Sequence, residues 1–192
     1  MTAEVFDLKN GVKYYPHTIM KSIGKMVVLA ATIPHLVLAL ALAINHLSYP
    51  VVWNGEEDFN ARMAYQITQG DSGYGQTDAF NDRLMYTPLT AYLQSWTIGL
   101  FGLDIRYQRA VTFLLAIAAA LFLAGCIRRL TGSSLLAFAG AAMFIGIDVD
   151  YWYIRLGPNV AHTMFAMAGL YLLIRDPKLT SKLDLVAMVA FF

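Results

Sequence analysis

The sequence has few charged residues and a single cysteine, and both shortages limit what the protein can be. Charged side chains make up 14% of its 192 residues, whereas a soluble domain normally carries about 25%. With only Cys126, no disulfide can form within the chain. The formal net charge of +1 gives no general attraction to nucleic acid, so we expect no nucleic-acid partner. The sequence also lacks a nucleophile elbow, a glycine-rich phosphate loop and a dinucleotide-binding fingerprint.

What is abundant is apolar sequence. Hydrophobic residues make up 58% of the chain, and the mean hydropathy is +0.52. Four runs contain no charged residue, at 26–55, 110–127, 130–147 and 156–174. A helix needs about 17–25 mostly apolar residues to cross a bilayer. The sequence therefore predicts an all-α membrane protein with transmembrane helices near 27–47, 110–127, 133–147 and 156–174.

A fifth apolar run covers 183–192, where the sequence stops. Ten residues cannot cross a bilayer, and a helix that ended midway would leave backbone groups unsatisfied in lipid. We therefore expect a partial fifth helix from a chain that continues, although a partner protein could also complete the span. Six or more further transmembrane runs beyond Phe192 would support an enzyme, and a genuine stop there would favour a subunit or a decayed gene.

The distribution of charge predicts the orientation in the cell membrane. The tail at 1–25 and the connections on the same side hold nine lysines and arginines against four acids, whereas the opposite side holds five arginines and nine acids. Because the lysine and arginine excess sets topology, we expect a cytoplasmic N-terminus and a large outer loop at 48–109. The alternative is a cleaved signal peptide, with Ala41-Leu42-Ala43 as the small-residue cleavage site.

The outer loop is predicted to form a short helix first. Phe59, Met63 and Ile67 recur every four residues and so lie on one helix face. Asn54 and Glu57 have the spacing of a capping box, and Gly70 follows where the helix would end.

A second helix is predicted to begin at Thr87-Pro88, because threonine is a good N-cap and proline fits the first helical position. Its apolar residues include Tyr92, Trp96 and Leu100. Aromatic residues at this spacing favour a helix in the membrane interface, so the two helices together would form a crevice at the outer surface.

Three adjacent carboxylates, Glu56, Glu57 and Asp58, stand where the first span meets this crevice. Their mutual repulsion favours a nearby cation or proton. A carboxylate in such a position could act as a general base toward a hydroxyl group, so these three are the candidate catalytic residues. The structural alternative is that they complement the dipole at a helix N-terminus.

Two further groups could bind ligands on the outer side. Asp148 and Asp150 could share a divalent cation such as Mg²⁺ or Mn²⁺, or could be ordinary polar residues at a helix end. Arg109 and Arg155 lie at helix ends at headgroup depth and could bind phosphate, with Arg83 as a further candidate. The alternatives are snorkelling to the interface and pairing with the outer acids.

Several features follow one another in a recognisable order. They are the acids Glu56-Glu57, the helix end at Gly70, the segment Tyr86-Thr87-Pro88-Leu89, the segment Phe101-Gly102-Leu103, Arg106 with Arg109, the turn Arg128-Arg129, and Arg155. This order, over residues 50–175, resembles the N-terminal part of the GT-C superfamily of glycosyltransferases, which includes protein O-mannosyltransferases and aminoarabinose transferases. The family usually has aspartate where Glu56 stands, and many members have a second proline where Thr87 stands.

The resemblance implies an N-terminal membrane module with two interfacial helices in its first outer loop. It implies transfer of a sugar from a polyprenyl-phosphate donor to a glycan, lipid or protein acceptor on the outer face, with Glu56 or Glu57 as the catalytic carboxylate. It also relates Asp148 and Asp150 to the acidic second loop of oligosaccharyltransferases, which helps hold a divalent metal, although many members need no metal. The alternative is a non-enzymatic membrane subunit or transporter fragment whose acidic outer loop binds ions.

Overall fold

The computed structural model describes residues 5–6, 13–14, 16–51, 55–70, 89–149, 159–178 and 181. A pair of two-residue antiparallel strands, β1 (Val5–Phe6) and β2 (Lys13–Tyr14), precedes the helices. The helices are α1 (Pro16–Ser48), α2 (Gly55–Thr68), α3 (Leu89–Phe101), α4 (Ile105–Thr131), α5 (Ser134–Val149) and α6 (Asn159–Arg175). The predicted helical class is therefore confirmed for the described part of the chain. The partial helix predicted at 183–192 and the predicted caps Asn54 and Thr87-Pro88 lie outside it.

Helix α1 is longer than the span predicted inside it. It has 33 residues and begins at Pro16, since proline is well suited to the first helical position. Lys21 and Lys25 lie in its first half and are exposed, so the charged segment before the apolar run is also helical. The predicted cytoplasmic tail at 1–25 thus includes the first turns of α1.

Helix α4 likewise extends past its apolar run at both ends because both ends are capped. The Asp104 side chain accepts a hydrogen bond from the Arg106 backbone N–H at 2.9 Å, which is a typical N-cap. Gly132 follows the helix with a φ of 69°, and its N–H donates to the Arg128 carbonyl at 2.8 Å. Only glycine adopts this left-handed conformation without a Cβ penalty. The turn predicted at Arg128-Arg129 instead lies at residues 132–133, because both arginines belong to the last turn of α4.

Helix α4 packs against both α5 and α6, α1 packs against α5, and α2 packs against α3. The residues buried between the helices are mostly small, and alanine is the commonest of them. Small residues let helix backbones approach closely. At Gly146 of α5, for example, a Cβ atom would lie 1.8 Å from Nε2 of His35 in α1, so this contact requires glycine.

Large apolar side chains lie on the outside of the bundle. Leu114 and Leu121 of α4 and Val37 and Ile44 of α1 are all more than 60% exposed. Helices α1, from Lys21 to Ser48, and α4 are long and apolar enough to cross a membrane, and α5 and α6 are shorter apolar helices. Only 17% of the apolar stretch of α1 and 28% of that of α4 is buried, whereas the core helix of a soluble protein is mostly buried.

Candidate functional site

The end of α1, the start of α2 and the start of α4 meet around one arginine. Arg109 of α4 is fully buried, as is Glu57 of α2. The Arg109 guanidinium donates from Nε to Oε1 of Glu57 at 2.7 Å and from Nη2 to Oε2 at 2.6 Å. This two-point geometry is the strongest form of an arginine–carboxylate pair. We call this pair, with the carbonyls described next, the Arg109 clamp.

The other Arg109 donors bind backbone carbonyls in the last turn of α1 and just after it. Nη1 donates to the carbonyl of His46 at 3.1 Å and to that of Tyr49, and Nη2 donates to that of Val51 at 2.8 Å. A guanidinium has five N–H groups, and here each has an acceptor. The clamp therefore neutralises Arg109 and satisfies all its donors, so a phosphate could bind there only by displacing one of these acceptors.

Beside the clamp is a cleft of about 420 Å³ between α2 and the start of α4, which we call the outer cleft. It is lined by Pro50, Asp58, Ala61, Arg62, Tyr65, Leu103, Asp104, Ile105, Arg106 and Gln108. Two acids and two arginines therefore surround one cavity of ligand size.

The charged residues of the outer cleft form two ion pairs at its rim. Arg62 contacts Asp58 one turn earlier in α2 at 2.9 Å, and both side chains are about half exposed. Arg106 binds both carboxylate oxygens of Asp104, at distances between 2.6 and 3.1 Å. Exposed pairs of this kind contribute about 0–1 kcal/mol each, so an incoming anion can compete for the arginines at little cost.

The two acids of the outer cleft differ in what holds them. The side-chain hydrogen bond from Arg106, with a further one from its backbone N–H, lowers the pKa of Asp104 below the ordinary aspartate value. A carboxylate with a lowered pKa is a weaker proton acceptor. Asp104 is therefore suited to cap α4 and orient Arg106, and Asp58 is the other carboxylate of this cleft.

Buried amides lie next to the cleft at the α3–α4 contact. Gln94 donates from Nε2 to Oγ1 of Thr112 at 2.9 Å and to the carbonyl of Gln108 at 3.3 Å. The Oε1 atoms of Gln94 and Gln108 are buried and have no hydrogen-bond donor among the described residues. Buried polar groups normally have a partner. Gln108 also lines the cleft.

Helix α3 has its polar residues inside and its apolar residues outside. Thr90, Gln94, Ser95 and Thr97 are buried, whereas Trp96 is 66% exposed. Other exposed apolar residues of α3, of the turn that follows and of the start of α4 are Leu89, Tyr92, Leu100, Phe101, Leu103 and Tyr107. This arrangement is the reverse of a soluble amphipathic helix.

The predicted site residues fall into three groups. Asp58 lines the outer cleft, whereas Glu57 and Arg109 form the clamp. The two neighbouring acids therefore lie on different sides of α2. Glu56 in α2 and Asp148 in α5 are described for their backbone only. The remaining predicted residues, Arg83, Arg155 and Asp150, lie outside the described residues. Within the described part of the chain, no group of three or more His, Cys, Asp or Glu side chains could hold a metal.

Sequence reasoning gave no role to Asp104 or Gln108, and it treated Arg62 and Arg106 only as members of the group of five outer arginines, with Arg106 also part of the GT-C-like order. Two signals were present in the sequence: Asp58 and Arg62 are four residues apart on a helix, and Asp104 stands directly before the start of α4. Neither spacing indicates that the two pairs share a cleft, because α2 and α4 are distant in sequence.

Comparison with protein-family models, with curated proteins and with solved structures finds no match to this chain. The resemblance to the GT-C superfamily therefore rests on the residues of the chain and stays a prediction.

Proposed function

We propose that the chain is the N-terminal module of a GT-C-type glycosyltransferase that uses a polyprenyl-phosphate sugar at the outer face of the cell membrane. The observation that carries the proposal is the outer cleft, where Asp58 and two exposed arginines line a cavity of about 420 Å³. An acid to accept a proton and cations to hold a phosphate are the two groups that this transfer needs.

In this proposal, α1, α4, α5 and α6 cross the membrane, and the N-terminus is cytoplasmic. The outer cleft lies close to the C-terminal end of α1 and the N-terminal end of α4, which are the outer ends under that orientation. Helix α3 lies in the interface beside it with Trp96 and Leu100 toward lipid. The exposed apolar face of α3 supports this placement, because such a face is favoured in the membrane interface. A lipid-linked donor would then reach the cleft from the bilayer.

The proposed reaction forms a bond between an acceptor oxygen and the anomeric carbon of the sugar. The bond from that carbon to the phosphate oxygen breaks, and polyprenyl phosphate leaves. Asp58 takes the proton of the acceptor hydroxyl, while Arg62 and Arg106 exchange their carboxylate partners for the phosphate and stabilise its charge. The Arg109 clamp holds α2 and α4 in position and takes no part in the bond changes.

The roles predicted from the sequence and from the resemblance therefore change in this proposal. Glu57 and Arg109 become positioning residues, because each satisfies the other in the buried clamp. Glu56, in the same turn of α2 as Asp58, remains the other candidate for the catalytic acid. A divalent metal at Asp148 and Asp150 is not needed for the proposed proton transfer.

The experiment is a transfer assay with the full-length protein in membranes and radiolabelled polyprenyl-phosphate sugars of several kinds. We expect Asp58→Asn to reduce release of polyprenyl phosphate by about 10²–10⁴-fold, the usual contribution of a general base. Asp176→Asn, the same change beyond the end of α6, is the control and should retain activity. Full activity in Asp58→Asn with loss in Glu56→Gln would move the base to Glu56, and full activity in both variants would contradict the proposal.

A further inference from the structure

A second cleft lies at the opposite end of the bundle from the outer cleft. It has a volume of about 380 Å³ and is lined by Gly125, Arg128 and Arg129 of α4 and by Tyr171 of α6. We call it the inner cleft. Both helices reach their C-terminal ends here, at Thr131 and Arg175, and no predicted function accounts for the cavity.

The inner cleft is built around the fixed ring of Tyr171. A Cβ atom on Gly125 would lie 2.7 Å from Cε2 of this ring, so glycine is what allows the ring to lie against α4. The Tyr171 ring also contacts Phe122, with 5.9 Å between the ring centroids. The Cζ atom of Arg129 lies over the same ring, 5.4 Å from its centroid. The cation–π contact holds the Arg129 guanidinium by its face, which leaves its N–H edge available.

The two arginines of the inner cleft differ from those of the outer side. Arg62, Arg106 and Arg109 each bind a carboxylate. Within the described part of the chain, Arg128 and Arg129 have no ion pair or side-chain hydrogen bond, and no acid lines their cleft. Two guanidinium groups with unused donors beside one cavity are suited to an anion that offers several oxygens, and phosphate is such an anion.

The surface next to the inner cleft favours a phosphate that carries an acyl chain. Leu121 is 66% exposed and precedes Gly125 and Arg128 by four and seven residues, so it lies on the same face of α4. An acyl chain could pack on Leu121 while the headgroup lies between the arginines, whereas a soluble phosphate would use the arginines only.

We infer that the inner cleft binds the phosphodiester headgroup of an anionic phospholipid from the cytoplasmic leaflet. Basic pockets between transmembrane helices on that side of a membrane are suited to such lipids. The inference rests on the proposed membrane orientation but does not depend on sugar transfer. Nonspecific attraction of snorkelling arginines to headgroups would involve Lys21 and Lys25 of α1 equally, and this difference makes the inference testable.

The test is native mass spectrometry of the purified full chain, released from detergent that contains phosphatidylglycerol or phosphatidylcholine. We expect the wild type to retain one phosphatidylglycerol and little phosphatidylcholine. Arg128→Gln with Arg129→Gln should lower the lipid-bound fraction at least about tenfold, because charge-assisted hydrogen bonds are lost. Lys21→Gln with Lys25→Gln removes the same charge from the same expected side, and should change that fraction less than about twofold if the attraction is specific to the cleft.

A second variant is needed because arginines also set topology, so that the loss of both charges could prevent correct insertion of the protein into the membrane. Arg128→Lys with Arg129→Lys keeps both charges but removes the guanidinium fork, and should lower the bound fraction at least about threefold. Equal losses in the glutamine variants of both pairs, or full binding in the lysine variant, would overturn the inference. Complete displacement of the lipid by millimolar glycerol phosphate would assign the cleft to a soluble phosphate and would overturn it too.

Discussion

Arg109 uses every donor that a guanidinium has, and this explains why arginine is needed at that position. Its fork reaches both oxygens of Glu57 and three carbonyls between His46 and Val51. A lysine has three donors on one atom, so it could not satisfy acceptors spread on several sides. The clamp ties three helices together, because Arg109 belongs to α4 and its acceptors belong to α2 and to the last turn of α1 with the segment that follows.

Arg109→Met should destabilise the protein by about 3–5 kcal/mol, because it leaves the Glu57 carboxylate buried without its counter-ion. Arg106→Met is the matched control: its ion pair is exposed to solvent, so the loss of stability should be much smaller. Denaturant unfolding in detergent, followed by circular dichroism, measures both values. A loss from Arg109→Met no larger than that of the control would contradict a buried clamp.

The double variant Arg109→Met with Glu57→Leu separates the buried charge from the backbone contacts. Removing both charges should recover part of the lost stability, since an apolar pair can replace a buried ion pair. The recovery should be incomplete, because three carbonyls lose their donors at about 1 kcal/mol each. Full recovery would mean that those carbonyl contacts contribute nothing.

Asp104 should give α4 a stability that depends on pH. The pKa of Asp104 is lower in the folded state than in the unfolded chain, mainly because of the Arg106 hydrogen bond. Its contribution is therefore present above the unfolded pKa of about 3.9 and is lost as pH falls through the lower folded value. Unfolding midpoints of wild type and Asp104→Asn, measured between neutral pH and pH 3, should converge as the pH falls. A difference between the two midpoints that stays constant with pH would show that the charge of Asp104 does not contribute to the stability.

At the scale of the element, α3 combines a polar buried face with an apolar exposed face. Thr90, Gln94 and Thr97 are buried against neighbouring helices, while Trp96 and Leu100 point away from the protein. In water this arrangement would expose several large side chains at a cost of about 25 cal/mol per Å². In the membrane interface the same side chains find an apolar environment, and aromatic rings are favoured there.

Trp96 should therefore be quenched by lipids brominated near the headgroup. The measurement uses vesicles and a variant whose other tryptophans, Trp53 and Trp152, are replaced by phenylalanine. We expect strong quenching by bromine close to the interface and weaker quenching by bromine at the acyl ends. Fluorescence unaffected by any brominated lipid would contradict an interfacial position for α3.

At the scale of the whole molecule, exposed leucines outside and alanines between the helices indicate a bundle suited to lipid. Small buried residues allow the close approach of α1, α4, α5 and α6, which membrane helices use when water gives no driving force between them. The two ends of this bundle differ in chemistry. One end carries the clamp and the outer cleft, and the other carries Arg128 and Arg129 of the inner cleft.

Cysteine labelling tests the proposed orientation of these two ends. Cys126 is replaced by alanine, and single cysteines are introduced at the exposed positions Gln69 and Lys178. A membrane-impermeant maleimide added to intact cells should label position 69 and should reach position 178 only after lysis. Labelling of position 178 in intact cells would reverse or abolish the proposed topology.

The site was predictable only in part. The three adjacent acids were identified from their spacing, but successive helix residues point about 100° apart, since a turn holds 3.6 residues. Which acid faces the core therefore depends on what packs against α2. Glu57 faces Arg109, 52 residues further along the chain, and Asp58 faces the cleft.

Local features of this protein could be read from its sequence: the helices, their approximate positions, and an apolar composition that suits a membrane. These follow from hydrophobic patterning, proline and glycine placement and capping residues, which act over a few residues. The pairing of Glu57 with Arg109, and the cleft shared by Asp58, Arg62 and Arg106, became visible only in the folded chain. Side chains distant in sequence become neighbours through helix packing, and no local pattern encodes that packing.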